Sequence, residues 1–184
     1  MKHPSRKPNR LTGYDYSQEG MYFVTLCTHD RIEWFGDVQD NAVMLNQTGK
    51  TVADRWQWLA QQYPYVNLGP YVIMPNHIHA LITIQQPVGN GRDRSGPVAT
   101  GPYRCKSLSG LIGAFKTTSS KAIHQSGHVQ FRWQKSFYDS IIRNENSLVR
   151  VLQYVQENPQ QWSTDSENPR INKRIQGTSL SIGP

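Results

Sequence analysis

The stretch that most constrains this chain follows a proline–asparagine pair. His77 to Ile84 reads His-Ile-His-Ala-Leu-Ile-Thr-Ile, an apolar, β-branched run of the kind that forms a strand. Before it, Val66 to Met74 has the same character and ends at the turn signal Pro75-Asn76. The two runs are expected to pair as a hairpin across that turn. Strand alternation then sets His77 and His79 on one face and turns Ile78 to the other. Two imidazoles so placed can converge on one ion, near a sheet end that solvent and substrate can reach. A pair of satisfied surface histidines has the same spacing, so the pattern by itself leaves both readings open.

The remaining elements fit around this hairpin. Tyr22 to Cys27 reads as a buried strand. From Asn46 to Tyr63 apolar residues recur at helical spacing, with Val52, Trp56 and Leu59 on one stripe and Pro64 closing the helix. A second helix is expected from Leu108 to His124, with Leu108, Leu111, Ile112 and Phe115 facing inward. Phe131 to Arg143 is strand-like, although Ile141 and Ile142 break simple alternation. A third helix starts near Asn146, capped by Asn146 or Ser147, and runs to Asn158, where Pro159 stops it. The order β, α, β, β, α, β, α predicts a ferredoxin-like (RRM-like) α+β sandwich, a mainly antiparallel sheet with helices packed on one face.

A chain of 184 residues suits one domain with tails. That domain spans residues 21–162. Residues 1–20 form a basic arm (Lys2, Arg6, Lys7, Arg10) that either touches DNA or is simply solvated. Within the domain, residues 86–107 mix glycines and prolines with Arg92, Arg94, Arg104 and Lys106, without periodicity, and read as a mobile basic loop. Residues 163–184 have little to bury and read as a loose tail. Twenty Lys and Arg against 13 Asp and Glu leave a formal charge of +7. That excess favours phosphate-rich partners, with plain solubility of a basic surface as the alternative. Cys27 and Cys105 are the only cysteines, which excludes a zinc finger or a disulfide framework; Cys27 reads as a small core residue. No run approaches the roughly 20 apolar residues of a membrane span, and no secretory signal is present, so reducing cytoplasm is the expected compartment.

Tyr154 and Asn158 lie four apart on the last helix, hence on one face. Leu148, Leu152 and Val155 mark its buried stripe, which sets the pair along the edge. From there the phenol can protrude, and the carboxamide of Asn158 is available as a metal ligand. An edge-packing tyrosine and a helix-stopping asparagine would look the same. His3, His29, His124 and His128 make no second pair at strand spacing. Two histidines with oxygen donors suit Mg²⁺ or Mn²⁺ better than zinc.

Several blocks, taken in order, resemble a known family. Met74-Pro-Asn-His-Ile-His-Ala-Leu-Ile82 and Gln153-Tyr-Val-Gln-Glu-Asn158-Pro159 look like the single-tyrosine HUH transposases of bacteria, most of all the REP-associated tyrosine transposases. Tyr22 to Thr28 is similar to that family's first strand, and Phe115-Lys116 and Tyr138-Asp139 with Arg143-Asn144 to later blocks. The likeness runs from about Tyr22 to Trp162 and omits the loop and the tail. It implies His77, His79 and Asn158 as metal ligands, Tyr154 as nucleophile, and Mg²⁺ or Mn²⁺ as cofactor. The implied reaction nicks and rejoins single-stranded or hairpin DNA, with palindromic repeats as the target and a 5′-phosphotyrosine intermediate. Lys116, Arg143 and Tyr138 are the expected DNA contacts, and Lys116 could also help hold the phenolate. Tyr138 is the rival nucleophile, on a segment that reads as a strand. A non-catalytic nucleic-acid-binding domain and a replication-initiator-like nickase stand as the alternatives. A monomer is expected, with a homodimer sharing its tyrosine helix as the other arrangement.

Overall fold

A computed structural model describes residues 13–85 and 105–171. The basic residues of the arm, nearly all of the 86–107 loop and the tail beyond residue 171 lie outside the described residues. In β1 (Gly20–Cys27), Tyr22, Val24 and Leu26 are fully buried while Phe23 and Thr25 are only partly so. This strand therefore shows a hydrophobic face to one side and a mixed face to the other. β1 pairs antiparallel with β5 (His77–Ile84) on one side and with β6 (Tyr138–Ile142) on the other. β4 (Val66–Met74) pairs with β5 through the expected hairpin and closes the sheet, in the order β4-β5-β1-β6. Pro70 lies in this edge strand where the register shifts between Leu68 and Tyr71. A bulge at an edge is where a sheet tolerates a residue without an N–H.

α1 (Gln47–Gln62) and α2 (Leu108–Gln125) supply Val52, Trp56, Leu59, Leu108, Leu111, Ile112 and Phe115 to the core, against Tyr22, Val24, Leu26, Ile78, Ala80 and Ile82. Counting only the four sheet strands and these two helices, the order is βαββαβ. The ferredoxin-like α+β architecture is thus the observed one. α3 (Glu145–Gln161) adds to it on the opposite face, over β4 and β5, where Tyr154 meets Phe23 and His79. The helices accordingly cover both faces of the sheet and not one. The reason is visible in β5, whose His77 and His79 face is buried almost as deeply as its Ile78 face.

Five further differences are local. A hairpin of β2 (Gly36–Gln39) and β3 (Ala42–Leu45) lies between β1 and α1. It turns at Asp40 and Asn41, both at positive φ, and was too short to show a period. Phe131, Trp133 and Phe137 are buried, but only Tyr138–Ile142 forms a ladder; ahead of it a single bridge joins Trp133 to Thr28. Asn144, and neither Asn146 nor Ser147, caps α3, its side chain accepting from the Ser147 N–H. α3 also continues past Pro159 to Gln161: the bond that proline cannot make falls in the last turn, where its loss is least disruptive. The expected arm is not all arm either, since Tyr14 and Tyr16 pack their rings against Tyr22.

Candidate metal and tyrosine site

The register fixes who meets whom. Thr25 of β1 is opposite His79, and Cys27 is opposite His77. His77 and His79 are 0% and 3% exposed, and their ring centroids are 4.4 Å apart. They stand on the face that α3 covers. His79 Nδ1 is 2.8 Å from the Thr25 hydroxyl, and its Nε2 is 3.2 Å from the hydroxyl of Tyr154. Phe23 stacks on the His79 ring and meets the Tyr154 ring edge-on, so both side chains are held in place. The nucleophile candidate and the histidine pair therefore do meet.

Asn76 decides the state of His77. Its amide nitrogen donates to two backbone carbonyls, Arg31 O at 3.0 Å and Glu167 O at 2.8 Å. The other end of the amide must then be oxygen, and it is 2.8 Å from His77 Nδ1. Nδ1 consequently carries the hydrogen, and Nε2 offers a lone pair. That lone pair has no hydrogen-bond partner, and it faces an oxygen of Asp165 at 3.9 Å. The side-chain oxygen of Asn158, a residue only 1% exposed, is likewise buried without a partner. Buried acceptors with nothing to accept are costly. A divalent cation is the group that would satisfy them together, and His77, His79 and Asp165 have ligand atoms within 4.8 Å of one another. These three residues form a group able to hold a metal ion.

Protonation does not resolve the arrangement. Burial, then His79, then Arg31 push the His77 pKa well below the ordinary histidine value. Burial lowers His79 to about 4. The phenol of Tyr154 moves up, through burial and then the Asp165 carboxylate, against a hydrogen bond from Asn158. Burial also raises Asp165, opposed by Arg31 and then Asn158. Added positive charge would relieve the last two shifts at once.

Asp165 and Asn76 were not legible as site residues. Asp165 lies where the sequence reads as loose tail, yet residues 162–171 are fastened to the domain: Trp162 packs near His77, Asn168 Nδ2 donates to Trp162 O, and Arg170 pairs with Glu33. Asn158, expected on the helix edge, is buried with Val155 against the sheet. Cys27 is buried as expected, but its thiol reaches Glu167 Oε2 at 3.3 Å. The expected DNA contacts diverge. Lys116 donates to Gln134 O at 2.7 Å and Ser136 O at 3.1 Å, and burial lowers its pKa to about 8. Arg143 is exposed and lines a groove with Tyr16, Asp139, Asn144 and Ser147. Tyr138 is 47% exposed and is paired with Thr25, two strands from His79 on the same face.

No family model matches the chain. An uncharacterized protein of Haemophilus influenzae is 30% identical over 164 residues, spanning 87% of this chain and 91% of that protein, so the two belong to one family. A second Haemophilus influenzae protein, provisionally named a REP-associated tyrosine transposase, is 22% identical over 150 residues, covering 79% and 73% of the two chains. A solved structure of the REP-associated tyrosine transposase bound to a REP hairpin superposes with a TM-score of 0.50 at 17% identity, covering 86% of this chain and 73% of that one. The chain has the REP-associated tyrosine transposase fold. On this transposase fold the histidines lie at the β4–β5 turn and the tyrosine on the added helix α3.

Proposed function

We propose that the chain is a metal-dependent, single-tyrosine enzyme that nicks and rejoins single-stranded or hairpin DNA. One observation carries this reading: the Tyr154 hydroxyl is 3.2 Å from a histidine whose neighbour, His77, presents an unpartnered lone pair to a buried acceptor cluster. His77, His79 and Asn158 would hold the cation, Mg²⁺ or Mn²⁺ by their donor chemistry. When bound, such an ion supplies charge that polarises a phosphodiester and favours the phenolate.

The protein's own groups do the rest. Thr25 and Asn76 hold the two rings by their Nδ1 atoms, an outer support that fixes ring orientation. Phe23 and α3 hold the phenol at the histidines, so little entropy is lost in aligning it. Tyr154 Oη gives up its proton to solvent and attacks phosphorus as the phenolate: a tyrosine–phosphorus bond forms as the bond to the 3′ oxygen breaks, and that oxygen takes a proton from water to leave as a 3′-OH. The 5′-phosphotyrosine conserves the ester, so another 3′-OH can reverse the step without a nucleotide cofactor. Arg143 and Tyr138 are free to meet the DNA, a phosphate and a base respectively. Tyr138 is the less suited nucleophile because Thr25 stands between it and His79 in the register.

The test is a covalent adduct. Single-stranded hairpin oligonucleotides containing palindromic repeats, incubated with the full chain and Mn²⁺, are expected to yield a protein–DNA species that mass spectrometry maps to Tyr154. Tyr154→Phe should bind the same hairpin and lose the adduct by 10³-fold or more. Adduct formation by that variant, or at Tyr138 in the native chain, would overturn the assignment.

A further inference from the structure

We propose that the segment after α3, Trp162 to Asn168, is a strap that completes the cation site, with Asp165 as a ligand and the Arg31–Glu167 ion pair as its clasp. The inference rests on the cation-dependent reading above and adds to it a carboxylate from outside the helix that carries the tyrosine.

The strap's geometry is specific. Asp165 Oδ1 accepts from the Glu167 N–H at 2.7 Å, and the Asp165 carbonyl accepts from the Asn168 N–H at 2.9 Å. One carboxylate oxygen is thereby committed to the turn, which leaves Oδ2 as the oxygen facing His77 Nε2 at 3.9 Å. Asn168, 4% exposed, ties the turn back to Trp162 O at 2.8 Å, and the Trp162 ring is 6.0 Å from the His77 ring. A carboxylate matters for charge as well as for position. Two neutral imidazoles and a carboxamide offer a hard divalent ion no negative charge, whereas Asp165 offers one.

Three contacts hold the strap. The Glu167 carboxylate pairs with Arg31 and accepts from the Cys27 thiol. The Glu167 carbonyl accepts from Asn76, the same side chain that orients His77. Arg31 is delivered by an unusual turn in which Asp30 and Arg31 have φ of 54° and 57°. Non-glycine residues seldom take up this left-handed conformation. Here Thr28 Oγ1 bonds Ile32 O at 2.8 Å and His29 N bonds Arg132 O at 2.9 Å, which maintain the turn. Its product is a backbone carbonyl aimed at Asn76 and a guanidinium aimed at Glu167. Arg31 and Glu167 are therefore positioning residues, and Asp165 is the one that touches the ion.

Mn²⁺ binding to the full chain, measured calorimetrically without DNA, tests this. Asp165→Asn keeps an oxygen for the turn and replaces the ion-facing Oδ2 by an NH₂ group, removing both the charge and the ligand atom; it is expected to weaken Mn²⁺ by tenfold or more. Asp165→Ser, which also retains a turn-capping oxygen, should do the same, and near-UV circular dichroism checks that both are folded. Glu167→Gln, remote from the ion, should weaken it by about tenfold, in the range found for outer supports of metal ligands. If both Asp165 variants bind Mn²⁺ like the native chain, the strap is no ligand, although the cation site itself stands. If Glu167→Gln alone is without effect, the clasp is overturned. If the native chain binds no Mn²⁺, the strap proposal and the cation-dependent reading fall together.

Discussion

Asn76 shows how much one side chain can determine. Its two donated hydrogen bonds fix which end of its amide is oxygen, and that oxygen fixes the proton on His77. From a sequence it is only the second residue of a turn. The same buried surroundings that make the histidines good ligands make them poor bases for a proton. The folded His79 pKa is about 4 against an ordinary value of 6.5, so the unfolded chain binds the proton first as pH falls. Stability is then fully present above about 6.5 and is lost as pH drops toward 4, by roughly 3 kcal/mol for this group. Urea unfolding of the metal-free chain between pH 7 and pH 4 should show that loss, and His79→Gln should reduce it by the His79 share while the contribution of buried His77 stays. A pH-independent unfolding midpoint over this range would contradict the placement of the ring.

Elements obey their sequence patterns where burial is apolar and depart where it is not. The stripes of α1 and α2 were legible because apolar residues at helical spacing face an apolar sheet. The stripe of α3 misleads, because the face it covers carries histidines and its own deepest residue is Asn158. The β2–β3 hairpin had one usable signal, the Asp40-Asn41 pair, since both residue types tolerate the left-handed turn they adopt. How this hairpin docks makes a prediction that opposes helix propensity. Gly49 lies in the first turn of α1, and a Cβ there would be 2.2 Å from the Phe35 carbonyl oxygen. Alanine is the better helix former by about 1 kcal/mol, yet Gly49→Ala should destabilise the chain by about 1–3 kcal/mol through that clash. Thermal or urea unfolding of the variant decides the sign.

For the whole molecule, 20 Lys and Arg against 13 Asp and Glu favour the phosphate-rich partner that the proposed function requires. Among the described residues no helix is long and apolar enough to cross a membrane. Electrostatic binding of single-stranded DNA weakens with salt according to the phosphates neutralised. Affinity should fall by about 2.6-fold per neutralised phosphate on a single strand, and about 3.5-fold per phosphate on a hairpin stem, between about 50 and 200 mM salt, measured by fluorescence anisotropy. A salt-independent affinity would argue against binding through the excess of Lys and Arg. Sequence by itself determined the four strands of the main sheet, the two core helices and the shared face of His77 and His79, because periodicity and spacing are local properties of a chain; Tyr154 became a candidate through the family resemblance of its block. Only the tertiary structure decided that Tyr154 reaches His79, that Asn158 is buried, that Lys116 is occupied by carbonyls, and that Asp165 joins the histidines. Those contacts join residues 18 to 88 positions apart. No spacing rule links positions so distant; the order of the strands and the path of the chain after α3 bring them together.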